Sequence, residues 1–145
     1  MCKVNSLKAK NVILVVDDDF DFLDLVSTLL RDEGYKVDTA KSGQEALEKS
    51  REKIHSLALI DIKLPDFEGI ELIERMEETD PKMRKVIVTG YQTPENTMRA
   101  LNLGADAYLV KPLKAEEILE TVKRQLMERD KDFEERYILL QDPEE

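Results

Sequence analysis

The chain has 145 residues, which fits one domain of ordinary size, whereas two would each be small. With 41% apolar and 37% charged residues it can build a core under a well-solvated surface, and its formal charge of −10 opposes a phosphate backbone, which excludes direct nucleic-acid binding as the expected role. No run approaches the roughly 18 apolar residues that span a bilayer, and one cysteine, Cys2, excludes an internal disulfide and a thiolate metal cage. No membrane attachment and a cytoplasmic setting are expected, and residues 1–10, basic but lacking an apolar core, read as a flexible segment.

Residues 12–16 (Val-Ile-Leu-Val-Val) are continuously apolar and predict a strand buried on both faces. A helix follows from about Asp19 to Glu33, with Phe22, Leu23, Val26, Leu29 and Leu30 as its buried stripe and Gly34 as its stop. Residues 35–40 alternate in polarity, as an edge strand does. After the turn at Ser42-Gly43, Ala46 and Leu47 mark a second helix. Residues 57–60 form a third strand, apolar throughout; Ile70, Leu72, Ile73 and Met76 mark a third helix after Gly69. Residues 86–88 are the fourth strand. Met98, Leu101 and Leu103 mark a fourth helix that opens at Thr93-Pro94, an N-cap followed by a proline at the first helical position, and closes at Gly104. Residues 107–110 give the fifth strand, and Ile118, Leu119, Val122 and Leu126 the fifth helix after Pro112.

Strictly alternating strands and helices predict an α/β fold, a five-stranded parallel sheet covered by five helices on its two faces. The domain is expected over residues 11–129. Residues 130–145 carry two readings, a charged tail or an extension of the fifth helix. Leu119, Leu126, Phe133 and Leu140 recur every seven residues and would suit a dimer seam, whereas Arg129, Arg136 and Pro143 favour a solvated tail.

In such a sheet ligands bind beyond the carboxyl ends of the strands, where strand order reverses. Asp17-Asp18-Asp19 closes the first strand, Asp61 the third, Thr89-Gly90 the fourth and Lys111-Pro112 the fifth. Neighbouring carboxylates repel unless a cation intervenes, and a hard divalent ion with oxygen ligands, Mg²⁺ above all, is the common remedy. A lysine and a hydroxyl at the same edge add the fixed charge and the donor that phosphoryl oxygens require. Each residue alone is equally well a solvated strand terminus. Their occurrence together at four strand ends points to an anion site around a nucleophilic or metal-binding aspartate.

The segments Val12-Ile13-Leu14-Val15-Val16-Asp17-Asp18, Leu59-Ile60-Asp61-Ile62-Lys63-Leu64-Pro65 with Gly69, Val86-Ile87-Val88-Thr89-Gly90, and Gly104-Ala105-Asp106-Ala107-Tyr108-Leu109-Val110-Lys111-Pro112 resemble, in order and spacing, the receiver domain of response regulators of two-component signalling. The resemblance implies a flavodoxin-like three-layer fold, a doubly wound α/β sandwich with strand order 2-1-3-4-5. It implies that Asp61 accepts a phosphoryl group from a histidine kinase or histidine phosphotransfer protein. Asp18, Asp61 and the backbone carbonyl of Lys63 would bind Mg²⁺ directly and Asp17 through a water. Lys111 would pair with the phosphoryl oxygens, Thr89 would hydrogen-bond one of them, and Thr89 with Tyr108 would form the switch. Signalling would pass to a downstream protein at the fourth helix, fifth strand and fifth helix, with a phosphorylation-dependent homodimer as a further expectation. Such a protein is a switch with self-catalysed phosphotransfer and autodephosphorylation rather than an enzyme.

Further residues are read on the same basis. Lys63 and Tyr91, two positions beyond Asp61 and Thr89, are long and would crowd an attacking water, lengthening the life of the aspartyl phosphate. Pro112 would follow a cis peptide, and Asp19 would cap the first helix. Gly69 and Pro65 would shape the loop after Asp61, with an ordinary turn role for Gly69 equally open. His55 is expected in a surface or structural role, not as a phosphohistidine carrier. Two rivals remain: a haloacid-dehalogenase-like phosphatase built on Asp17-x-Asp19, disfavoured by Asp21 where those enzymes carry Thr or Val, and a degenerate receiver acting only as a binding module.

Overall fold

The computed structural model describes residues 8, 10–90 and 93–141; Cys2 and Tyr91 lie outside the described residues. Strands and helices alternate as β1 (Val12–Val16), α1 (Phe20–Asp32), β2 (Lys36–Ala40), α2 (Gly43–Glu52), β3 (Leu57–Ile60), α3 (Gly69–Thr79), β4 (Arg84–Thr89), α4 (Pro94–Asn102), β5 (Ala107–Val110) and α5 (Ala115–Gln141). The helix starts are set by local chemistry. Asp19 accepts the amides of Asp21 and Phe22, Ser42 that of Glu45, and Thr93 that of Asn96 with Pro94 beside it. Gly34 and Gly104, with φ of 103° and 114°, close α1 and α4 in a conformation that side-chain-bearing residues resist.

All four strand pairings are parallel, in the order β2-β1-β3-β4-β5. Alternate side chains feed two cores. Leu14, Val16, Ala58, Ile60 and Ile87 pack under α2, α3 and α4, and Ile13, Val15, Leu57, Leu59, Val86 and Val88 pack under α1 and α5. Each valine, leucine or isoleucine among them, withdrawn from water, stabilises by roughly 1.5–3 kcal/mol, which fixes the sheet as the rigid platform beneath its carboxyl edge.

Several expectations are corrected. β4 begins at Arg84, two residues before the apolar run, because Lys85 is wholly buried; its ammonium donates to the carbonyls of Asp80 (3.1 Å) and Met83 (2.7 Å) and pairs with Glu77 (2.9 Å). The stripe read on the fourth helix is buried only in part, with Leu103 packed against the core under α2, α3 and α4. Ala100 faces the sheet, whereas Met98 and Leu101 are 61% and 47% exposed. α5 runs on to Gln141, and its seven-residue stripe turns toward its own domain: Leu126 is buried in the core under α5, Leu119 packs against that core, and Lys82 and Arg129 lie over the Phe133 ring at 4.9 and 4.7 Å. Arg84 ties the same stretch down through Asp132 at 2.6 Å. Leu119, Leu126 and Phe133 are therefore engaged within the chain; the side chain of Leu140 lies outside the description. Within the amino-terminal segment, Lys8 pairs with Glu33 at 3.0 Å and sits over the Tyr35 ring. No described helix is long and apolar enough to cross a membrane.

His55 is fully buried, with Nε2 2.8 Å from the Asp38 carboxylate, which also pairs with Lys53 at 3.1 Å. A phosphoryl carrier must meet its donor at the surface, so this histidine serves the fold. His55→Ala would open a cavity and strip Asp38 of its buried partner, and is expected to cost about 2–4 kcal/mol. Urea denaturation measures the change.

Candidate active site at the carboxyl edge of the sheet

β1 and β3 are neighbours, with Val16 opposite Ile60, so the residues that follow them, Asp17 and Asp61, emerge side by side. The Asp61 amide still donates to the Val16 carbonyl at 3.0 Å, and that of Asp17 to Ala40. From this point the chain passes from β1 to β2 on one side and from β3 to β4 on the other, which opens the crevice. Thr89 ends β4, and the Lys111 amide donates to its carbonyl at 2.9 Å, so β5 delivers Lys111 to the same edge. The Lys111–Pro112 peptide is cis.

Carboxylate oxygens of Asp17, Asp18 and Asp61 lie within 4.8 Å of one another, Asp18 exposed and the other two buried. The Lys111 ammonium is 2.7 Å from Asp17 and 3.7 Å from Asp61. The Thr89 hydroxyl, itself buried, donates to the Asp61 carboxylate. Burial and the Asp17 charge push the Asp61 carboxyl above its ordinary range, against the opposing pull of Lys111, the Lys63 amide and Thr89. Burial pushes the Lys111 ammonium down, but its hydrogen bond to Asp17 and the charges of Asp61, Asp17 and Asp19 outweigh that and hold it above its usual value. One ammonium cannot neutralise three carboxylates. An all-oxygen, anionic donor set of this kind fits a hard divalent cation such as Mg²⁺.

The other expected residues fall around this centre. Lys63 is exposed in the loop after Asp61, its amide 3.4 Å from an Asp61 carboxylate oxygen. Tyr108 is half-buried on β5, against the core under α2–α4. Asp19 does not enter the crevice: its carboxylate caps α1 and its amide donates to Asp17 at 2.9 Å. The Asp-x-Asp pairing required by the phosphatase rival is therefore not assembled.

Two features of the loop between β3 and α3 escaped the sequence reading. Asp66 takes the amides of Gly43 and Gln44 at 2.9 and 2.8 Å, so it caps α2 from outside that helix, and the Phe67 ring lies against Gly43 where a Cβ would have no room. A Leu-Pro-Asp stretch reads only as a turn; that its aspartate caps a helix 22 residues earlier is a tertiary fact. Slight burial pushes the Asp66 carboxyl up, but the Gln44 and Gly43 amides prevail and hold it below its usual range. Asp66→Ala is expected to cost about 1 kcal/mol, as loss of a helix cap does, and to speed amide hydrogen exchange over residues 63–69. Unchanged exchange there would show that the cap does not hold the loop.

The family model for the response regulator receiver domain matches residues 13–123. The chain belongs to the response regulator receiver family. Among solved structures, the receiver resembles the response regulator receiver domain protein (CheY-like) from Methanospirillum hungatei JF-1, with a TM-score of 0.83, 45% identity, and coverage of 84% of this chain and 98% of that one. It also resembles the beryllofluoride-activated NtrC4 receiver domain dimer (TM-score 0.78, 32% identity, 81% and 98% covered). Among curated proteins, it is 39% identical to the transcriptional regulatory protein ZraR of Klebsiella oxytoca over 79% of this chain and 26% of that one. It is 33% identical to sporulation initiation phosphotransferase F of Bacillus subtilis (strain 168), over 79% and 92%. The receiver thus spans about a quarter of ZraR and nearly all of the phosphotransferase.

Proposed function

We propose that this receiver takes a phosphoryl group onto Asp61 from a phosphohistidine of a histidine kinase or histidine phosphotransfer protein, and signals by the conformational change that follows. The observation that carries this reading is the Asp61 carboxylate at the end of β3, with two more carboxylates, the Thr89 hydroxyl and the Lys111 ammonium around it. In the transfer an Asp61 carboxylate oxygen attacks phosphorus, the bond from phosphorus to the donor nitrogen breaks, and an acyl phosphate is left on Asp61. Lys111 then pairs with the phosphoryl oxygens and Thr89 donates to one of them. Asp17, Asp18, Asp61 and the Lys63 carbonyl would hold Mg²⁺, which when bound supplies the charge neutralisation that in-line phosphoryl transfer needs.

In the switch, Thr89 moves toward the new phosphoryl oxygens and Tyr108 follows into the space it leaves, a population shift biased by contacts that only the phosphorylated form makes. The readout surface is the face of α4, β5 and α5, where exposed Met98 and Leu101 offer apolar area to a downstream protein. A homodimer formed on phosphorylation would use that face, since the α5 stripe packs on its own domain. Lys63 and Tyr91 would crowd an incoming water and prolong the phosphorylated state.

With acetyl phosphate and Mg²⁺ the protein should gain the mass of one phosphoryl group, and chelation with EDTA should return labelling to background. Equal labelling with and without the metal would overturn the proposed role of the acidic cluster.

A further inference from the structure

The ammonium of Lys111 has a third neighbour besides Asp17 and Asp61: the ring of Phe22, whose centroid lies 4.2 Å from Nζ. Phe22 stands in the first turn of α1, where its amide is 3.4 Å from the capping carboxylate of Asp19 and the next amide, of Leu23, donates to the Asp19 carbonyl. Its side chain is half-buried and rests on the core that includes Leu23, Val26 and Ile118. The ring is thus fixed from below by packing and from behind by the helix cap, with the lysine cation over it.

We propose that Phe22 is a positioning residue for the phosphoryl-transfer reaction, its ring face holding the Lys111 ammonium where it can meet the phosphoryl oxygens. This rests on the reading of Asp61 as the acceptor and of Lys111 as its counter-cation. An aromatic face attracts a cation through its quadrupole without supplying a lone pair. Lys111 is therefore steadied on one side while its N–H groups stay directed at the carboxylates, and it can exchange Asp17 for a phosphoryl oxygen without leaving the ring. A leucine at this position would fill similar space on the core but offer no such attraction. Asp19 acts through the same route, since its cap sets the turn that carries the ring.

The test is a double-mutant cycle on the full chain with acetyl phosphate and Mg²⁺, following the phosphorylation rate by intact mass. Phe22→Leu should slow labelling about fivefold, the factor expected for loss of one partly exposed cation–π contact, while Phe22→Tyr should stay close to wild type. In a Lys111→Met background Phe22→Leu should have no further effect. The same fivefold loss in both backgrounds would mean a packing role only and overturn the proposal. Because the Lys111→Met protein can be too slow to time, the ε-methylene NMR signals of Lys111 are followed as well. A ring over the cation shifts them upfield, and Phe22→Leu should remove that shift; signals that do not move overturn the proposal without any phosphorylation being measured. A wild type that takes no phosphate while these signals still respond would break the functional reading and leave the Phe22–Lys111 contact standing.

Discussion

Asp61→Asn should give a folded protein that gains no phosphoryl group from acetyl phosphate and Mg²⁺. The amide oxygen is a poor nucleophile where the carboxylate oxygen is a competent one, and no other described carboxylate has both the Thr89 hydroxyl and the Lys111 ammonium directed at it. The same variant should be more stable than wild type in the absence of metal. Burial and the neighbouring Asp17 raise the Asp61 carboxyl above its ordinary range, so the folded state prefers the protonated form. A carboxyl raised in the folded state costs nothing below its unfolded pKa of about 3.9 and destabilises progressively as pH climbs through the raised value. The stability gap between Asp61→Asn and wild type should therefore be small near pH 4 and widen toward neutrality, reaching on the order of 1 kcal/mol, as expected when a functional site is relieved of strain. Thermal melts at several pH values, with EDTA present, measure it. A gap that shrinks as pH rises would contradict the electrostatic account, and labelling of the Asn variant at the wild-type level would remove Asp61 from its role.

Gly69→Ala should be the most damaging of the small substitutions. A Cβ on Gly69 would lie 2.1 Å from the carbonyl oxygen of Asp61 and 2.9 Å from its carbonyl carbon, with the Ile60 side chain at 3.0 Å. The obstacle is backbone, which cannot swing aside as a lysine tip can. Either the start of α3 lifts off the sheet, breaking the 2.6 Å hydrogen bond from the Gly69 amide to Ile62, or the peptide of Asp61 is displaced. The expected cost is roughly 3 kcal/mol. Phosphorylation should fall by about 10²-fold, the loss that a displacement near 1 Å brings to a reaction governed by alignment. Gly90→Ala is the internal control, because a Cβ there meets nothing within 4 Å, and its stability should stay within about 0.5 kcal/mol of wild type. Denaturant titration and intact mass on the two variants give both readouts. Equal behaviour of Gly69→Ala and Gly90→Ala would show that the close approach to Asp61 is not maintained in solution.

Much of this molecule is legible in the chain, and the reason is periodicity. Three apolar runs bounded by helical stripes leave few arrangements other than a parallel sheet, and in such a sheet the residue after each strand must emerge at one edge. Asp17, Asp61, Thr89 and Lys111 could therefore be gathered from sequence position alone, because each stands at or directly after the end of a strand. Helix starts were equally readable at Asp19, Ser42 and Thr93, whose side chains satisfy amides two or three residues on.

What the chain does not announce is any contact whose partners are far apart in sequence and ambiguous in type. Lys85 interrupts an apolar run and reads as a strand boundary, yet it is buried because Glu77 and two carbonyls of the α3–β4 turn surround its ammonium. The stripe on α5 is compatible with a second helix or with its own sheet, since both offer an apolar surface of the same period; only the placement of Lys82 and Arg84 under Phe133 and Asp132 decides for the domain itself. The need for glycine at 69 comes from a carbonyl eight residues earlier brought within 2.1 Å of the missing Cβ. Phe22 looks like one more member of a buried stripe until Lys111 arrives above it from the far side of the fold. Local hydrogen bonding and hydrophobic period act over a few residues and can be read along the chain, whereas burial of charge, close backbone approach and a cation over a ring depend on where the other elements stop, which the packed sheet alone fixes.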